Sequence, residues 1–305
     1  MQFLTTSTFG IAILLTLSSN KATAAELLGC DAVGCPEDQN QRTQCSVGNA
    51  TLRVLGITNI TTSLDKSPIT WTIGYNEGKK PGNDSVDTYD RNFYLGTPPS
   101  LQLKDTTGCA LFFEGVAPSI ALPKPKPGPS NIANFTCSDV LKEDCVSDLI
   151  SQAKSAAKGI DGKDDFCSSL QKSLVDKPPS TCSLVKGSWG AVFAQPLTGD
   201  KAPVRTNLTT CRPTTGQNYD VSLVLSNRKD SNLVNGGMAP ILRSVAPVMT
   251  VFRKGDNTEA YLTCLQMVEA YGSRAATLVK GDAAGTSVPF VSFLTFVAIA
   301  LVFVF

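Results

Sequence analysis

The sequence predicts an α+β fold: an antiparallel, sandwich-like β-sheet core interrupted by a helical insertion that disulfides staple in place. Three observations carry this. Apolar residues recur with period two early in the chain, and strand-like runs return toward its end. Between them the apolar spacing lengthens to four, which puts the apolar side chains on one face of a helix. Ten cysteines run from Cys30 to Cys264, an even number in a chain whose two ends both read as secretory signals.

Residues 1–24 read as a signal peptide. Phe9 to Leu17 is an apolar run, and Ala22-Thr23-Ala24 then sets small residues at alternate positions, which is what signal peptidase reads. Residues 25–122 form a β-rich region. Leu52 and Val54 alternate with polar neighbours, and Ile57 and Ile60 continue the apolar content. The clearest strand is Ile69 to Tyr75, with Ile69, Trp71, Ile73 and Tyr75 on one face. Glycine, proline and asparagine cluster from Asn76 to Asn83, which predicts a turn or loop. Asn92 to Leu95 and Cys109 to Phe113 add two strands on either side of Pro98-Pro99.

Residues 123–130 alternate proline with lysine, glycine and serine, an extended connector that either divides two regions or forms a long surface loop. The α+β region, 131–281, opens with Leu141, Cys145, Leu149 and Ala153 at four-residue spacing. That predicts a helix from about Asp139 to Ala157, with Ser138 as N-cap and Gly159 as its stop. Phe166, Leu170 and Leu174 mark a second helix that starts near Asp164 and ends before Pro178-Pro179. Cys145 and Cys167 lie on these two helices and are placed to staple them. Strands resume at Ala191–Phe193, Val221–Leu225, Val248–Phe252 and Tyr261–Val268.

At the far end, Val288 to Phe305 is apolar to the last residue, and Gly281, Asp282, Ala283, Ala284 and Gly285 precede it. Small residues followed by an apolar tail with no basic stop make a glycosylphosphatidylinositol (GPI) attachment signal. Attachment is expected at Gly281 or Asp282, with 282–305 as the discarded propeptide; a single-pass membrane anchor is the competing reading. The plasma membrane, reached through the lipid, is then the first expected partner.

The oxidising compartment agrees with the cysteines Cys30, Cys35, Cys45, Cys109, Cys137, Cys145, Cys167, Cys182, Cys211 and Cys264, all expected in disulfides whose pairing sequence alone does not assign. Five N-glycosylation sequons begin at Asn49, Asn59, Asn83, Asn134 and Asn207. With 27 basic and 26 acidic residues there is no charge excess to hold a nucleic acid, so none is expected as a partner.

The chain contains no histidine. That removes Ser-His-Asp and Cys-His hydrolases, His-Glu-x-x-His metalloproteases and histidine-held copper. No metal, cofactor or catalytic residue is expected. Carboxylate chemistry survives the exclusion, because a glycosidase needs only two acids about 5–10 Å apart across a cleft. Asp65, Glu77, Asp87, Asp90 and Glu114 lie on or beside strands, but no spacing selects a pair. Asp90-Arg91-Asn92, flanked by Tyr89, Phe93 and Tyr94, reads either as a sugar-stacking platform or as a strand with inward aromatics and locally paired charges. Trp71 reads as core, and the glycine-flanked Trp189 is more ambiguous. Asp161-Gly162-Lys163-Asp164-Asp165 lacks the alternating acids of a calcium loop and reads as a helix start capped by Asp164.

The segments Asp90-Arg91-Asn92-Phe93-Tyr94-Leu95-Gly96-Thr97-Pro98-Pro99, Gly108-Cys109-Ala110-Leu111-Phe112-Phe113 and Glu143-Asp144-Cys145 resemble a group of filamentous-fungal, cysteine-rich secreted proteins, often GPI-anchored. The resemblance spans about Cys45 to Cys264 and implies an extracellular, membrane- or wall-bound protein; it contributes no catalytic residue. The expected function is a non-enzymatic structural, recognition or sensing role at the fungal surface, with wall glucan or another glycan as a further partner. The alternative is a wall-polysaccharide hydrolase or transglycosylase using paired carboxylates.

Overall fold

A computed structural model describes residues 26–37, 39, 44–114, 136–162, 165–182, 191–207, 210–230, 244–267, 279–280 and 283–285. Residues 1–24, expected to be a signal peptide, the proline-rich stretch 123–130, Asn134, Asp164, Trp189, Gly281, Asp282 and the C-terminal apolar run lie outside the described residues. The strands are β1 (Glu26–Leu27), β2 (Cys45–Val47), β3 (Ala50–Leu52), β4 (Val54–Ile60), β5 (Ile69–Lys80), β6 (Asn83–Thr97), β7 (Thr106–Phe113), β8 (Val192–Pro196), β9 (Asp220–Asp230), β10 (Val245–Lys254), β11 (Asn257–Gln266), β12 (Val279–Lys280) and β13 (Ala283–Gly285). Helices α1 (Cys137–Leu141), α2 (Glu143–Gly159) and α3 (Phe166–Asp176) fall between β7 and β8. This is the α+β arrangement expected from the sequence.

Two main antiparallel sheets carry the fold. One has the order β13-β11-β10-β7-β8 and the other β4-β5-β6-β9, with the small pairs β2-β3 and β1-β12 beside them. The regions before and after residues 123–130 are interleaved in both sheets: β7 lies between β10 and β8, and β9 completes the sheet of β4 to β6. Strand alternation sorts the side chains into three buried layers. Cys109, Leu111 and Phe113 on β7, with Met249, Val251 and Leu262, face Leu149, Ile150, Leu170 and Leu174 of the helices. Ala110, Phe112, Val248 and Phe252 face the other way, onto Trp71, Ile73, Tyr75, Phe93 and Leu95 of the second sheet. Beyond that sheet, Leu52, Leu55, Ile57, Tyr94 and Val221 form a third, smaller cluster. All eight residues of β7 are buried because both of its faces are covered.

Trp71 is the hinge-pin of the middle layer. It has no exposed surface, its ring meets Phe112 edge-on at 5.7 Å, and its indole Nε1 donates to Thr250 Oγ1 at 2.9 Å. A buried indole with its N–H satisfied stabilises without an orphaned donor. Gly74 serves a close approach on the opposite face: a Cβ there would stand 2.5 Å from Leu52 Cδ1. The bare backbone lets β3 lie down on β5.

Three expectations need correcting. Residues 76–80 do not form a loop; β5 runs on to Lys80 and turns through Pro81-Gly82 alone. Proline followed by a glycine at φ +77 is the pattern of a type II turn, and the Lys79–Asp87 pair at 2.6 Å links the two strands of the arm. The predicted helix 139–157 is two helices. Thr136, not Ser138, caps the first through a capping box with Asp139, and Lys142 at φ 68, ψ 151 breaks the chain before Glu143. The N-cap of α3 is Asp165, whose side chain makes no capping hydrogen bond.

All ten cysteines are paired: Cys30–Cys35, Cys45–Cys211, Cys109–Cys167, Cys137–Cys264 and Cys145–Cys182. The Cys145–Cys167 staple therefore does not form. Cys145 bonds the 3-10 turn after α3, while Cys167 and Cys137 tie α3 and α1 to β7 and β11. The helical layer is fastened to the sheet as well as to itself.

Candidate functional site

The segment between β8 and β9 has too many Thr, Asn and Pro residues for a strand, and it drapes over the outer face of the four-stranded sheet. Side chains and strand ends hold it there. Thr72 Oγ1 donates to the Pro213 carbonyl at 2.6 Å, and the Tyr219 hydroxyl donates to the Pro68 carbonyl at 2.7 Å. Ser46 N donates to Thr210 Oγ1 at 2.8 Å, Gly48 N donates to the Asn207 carbonyl at 2.8 Å, and Cys211 is bonded to Cys45 on β2.

Between this segment and the 3-10 turn at Cys30–Val33 lies a groove of about 760 Å³. Val33, Cys211 and Val221 make its apolar wall, while Arg205, Asn207, Arg212, Asn218, Tyr219 and Asp220 supply the polar groups. Arg205 is ion-paired with Asp220, and Arg212 Nη1 donates to Asn218 Oδ1 at 3.3 Å. Both contacts are exposed, and exposed ion pairs are worth about 0–1 kcal/mol, so an entering ligand can exchange them at little cost. Burial raises the Tyr219 phenol above its ordinary pKa, with Asp65 adding to the effect, so its ring stays neutral. Leaving aside Asn207, a sequon asparagine, two guanidiniums, one carboxylate, the Asn218 amide and an aromatic ring suit a hydroxyl-rich or mildly acidic ligand.

The sequence-selected acids do not gather there; each has its own partner. Asp65 caps a turn by accepting from Ser67 N at 2.8 Å and also accepts from Ser100 Oγ. Glu77 accepts from Tyr75, and Asp87 pairs with Lys79. Asp90 is buried and takes a bidentate contact from Arg228, Nε at 2.7 Å and Nη2 at 2.9 Å. Arg91, on the opposite face of β6, reaches between the sheets to an ion pair with Glu114 and donates to Ser244 Oγ at 2.8 Å. Burial pushes the Arg91 pKa down to about 10, and the Glu114 carboxylate supplies the counter-charge. Phe93 and Tyr94 are buried, so this stretch is an inward-packing strand whose charges pair across strands and sheets and not with each other.

The backbone carbonyls from Ala157 to Gly162 hold a cation other than calcium. The Arg253 guanidinium donates to the carbonyls of Ala157, Ile160 and Gly162 and stacks 4.9 Å over Phe166. The oxygens at the end of α2 are thereby occupied by a cation from β10.

Of the sequons, Asn49, Asn83 and Asn207 are exposed, the first at a turn, the second opening β6 and the third on the groove. Asn59 sits within β4, half-buried, and its Oδ1 accepts from Thr70 and Thr215 hydroxyls. One cluster with metal-ligand spacing occurs among the described residues: the Sγ atoms of Cys35, Cys45 and Cys211, all within 4.8 Å of one another. Disulfide sulfurs lack the thiolate charge that binds zinc or copper. No helix among the described residues is long and apolar enough to cross a membrane.

Sequence reasoning missed the groove because its residues carry no period and no motif. The available signal was a sequon and a cysteine closely flanked by arginines, at 205–212. No family model, curated protein or solved structure matches this chain.

Proposed function

We propose that the chain is a GPI-anchored glycoprotein of the fungal plasma membrane or cell wall that recognises wall glycan without catalysing a reaction on it. The observation that carries this reading is the groove, an open polar surface mounted on a fully oxidised frame. Five disulfides suit an oxidising compartment, where such bonds form and persist. The leader, the small-residue and apolar tail, and the resemblance of segments 90–99, 108–113 and 143–145 to fungal surface proteins supply the address.

The anchor geometry fits the same role. β1 pairs with β12 through Glu26–Lys280 and Leu27–Val279, so Glu26 and Leu27 lie beside the residues just before the proposed attachment site at Gly281 or Asp282. Processing at Gly281 or Asp282 would remove β13, the three-residue edge strand on β11, and a head attached there stands close to the bilayer, which suits sensing or maintenance of the adjacent wall. The paired-carboxylate alternative gains no support, because Asp65, Glu77, Asp87, Asp90 and Glu114 are each committed to a separate partner.

The test is glycan binding by the phospholipase-released protein. Arg212 lines the groove, and its guanidinium's side-chain partner among the described residues is the exposed Asn218 amide. Arg212→Ala is expected to weaken binding of a wall oligosaccharide about tenfold, the loss of one charged hydrogen bond, with the folding transition unchanged. Binding by neither protein to any wall glycan would remove the recognition role.

A further inference from the structure

Two disulfides meet at one end of the groove. Cys30–Cys35 closes a five-residue separation around the 3-10 turn, and Cys45–Cys211 spans 166 residues to join β2 to the groove segment. The Sγ atoms of Cys35, Cys45 and Cys211 lie within 4.8 Å of one another, and no other trio of cysteines among the described residues comes this close. Cys30, Cys45 and Cys211 are buried, whereas Cys35 is half-buried and so is the sulfur that solvent reaches best. Val33, inside the small loop, and Cys211 both line the groove. A sulfur beside a second disulfide is the arrangement that thiol–disulfide exchange requires, since a thiolate must reach a disulfide sulfur to displace its partner.

We propose that Cys30, Cys35, Cys45 and Cys211 form a thiol–disulfide exchange site that takes a small external thiol as its substrate. One thiolate attacks Cys35 Sγ, forms a mixed disulfide and releases the Cys30 thiol. A second thiolate attacks the external sulfur of that mixed disulfide, leaves as the small-molecule disulfide and frees the Cys35 thiolate. Two thiols are oxidised and one protein disulfide is reduced. Cys35 then attacks Cys45 or Cys211: the Cys45–Cys211 bond breaks, a bond from Cys35 forms, and the displaced sulfur leaves as a thiolate that takes a proton from water. No net electrons move in this last step. Either product unties β2 from the groove segment, so the shape of the groove wall becomes dependent on the thiol outside. This proposal is independent of the identity of the groove's ligand and of the anchor.

The experiment treats the full released protein with reduced glutathione, quenches with acid and alkylating agent, and maps the unreduced peptides by mass spectrometry. A peptide joining Cys35 to Cys45 or to Cys211, with Cys30 alkylated, is expected before Cys109–Cys167, Cys137–Cys264 or Cys145–Cys182 opens. Reduction of Cys30–Cys35 with no crossed peptide would overturn the proposal, as would a Cys30–Cys35 bond that outlasts the other three. In Cys30→Ser/Cys35→Ser, opening of Cys45–Cys211 by glutathione is expected to slow about tenfold, reflecting the effective concentration of a tethered nucleophile; an unchanged rate would contradict it. Should that variant fail to fold, Cys30→Ser alone decides, because its Cys35 thiol is free from the outset. The crossed pair is expected there with no added thiol, and finding only Cys45–Cys211 would sink the assignment.

Discussion

Arg91 shows how far local sequence reaches at the scale of one residue. The alternation around it made Phe93 an inward side chain, and that follows from the two-residue period alone. Its ion-pair partner could not be read the same way, because Glu114 ends a strand of the other sheet and adjacency in sequence says nothing about which sheet faces which. The pair sits where the two sheets meet, with side chains about one-tenth exposed or less. Removing one member strands a buried charge, so Arg91→Met is expected to cost about 3–5 kcal/mol, while Arg91→Met with Glu114→Leu costs clearly less. Urea midpoints of the two variants under oxidising conditions check both numbers. Asn59 poses the complementary case: its sequon was legible, but its place in β4 was not. With Oδ1 engaged by Thr70 and Thr215 in the sheet, glycopeptide mapping is expected to find Asn49, Asn83 and Asn207 substituted and Asn59 largely bare.

Elements were legible where one face of a regular period is buried. Trp71 with its neighbours, and Leu149 with Ala153, announced β5 and α2 through spacing alone. The misreadings came where a turn residue was outvoted by cross-strand pairing or a single backbone torsion interrupted a good pattern. Gly78 lies inside β5 because Thr88 pairs with it across the arm. Lys142 breaks the predicted helix although its neighbours keep a helical apolar period. Its φ 68, ψ 151 belong to a region that only glycine occupies without strain. Lys142→Gly is therefore expected to stabilise the fold by about 1 kcal/mol, seen as a higher denaturation midpoint with unchanged slope. A lower midpoint would mean that the lysine side chain contributes more than its backbone costs.

For the whole molecule, the sequence conveyed fold class and full disulfide pairing of its cysteines but not assembly. Strand–helix–strand order and ten cysteines were enough for an α+β, oxidised fold. The interleaving of β7 and β9 into sheets built mainly from the other part of the chain was not, because long-range pairing leaves no trace in a local window. The groove shares that origin: it forms where Val33 meets the stretches 205–207, 210–212 and 218–221, and none of those segments is distinctive alone. Placing this head at a fungal membrane rests on the processing of its C-terminus. The most direct measurement is the C-terminal peptide of the mature protein on intact cells, before and after phosphatidylinositol-specific phospholipase C. The expected result is a chain ending at Gly281 or Asp282, carrying an ethanolamine-phosphate glycan and released by the enzyme; a chain that keeps Phe305 and stays with the membrane would contradict it.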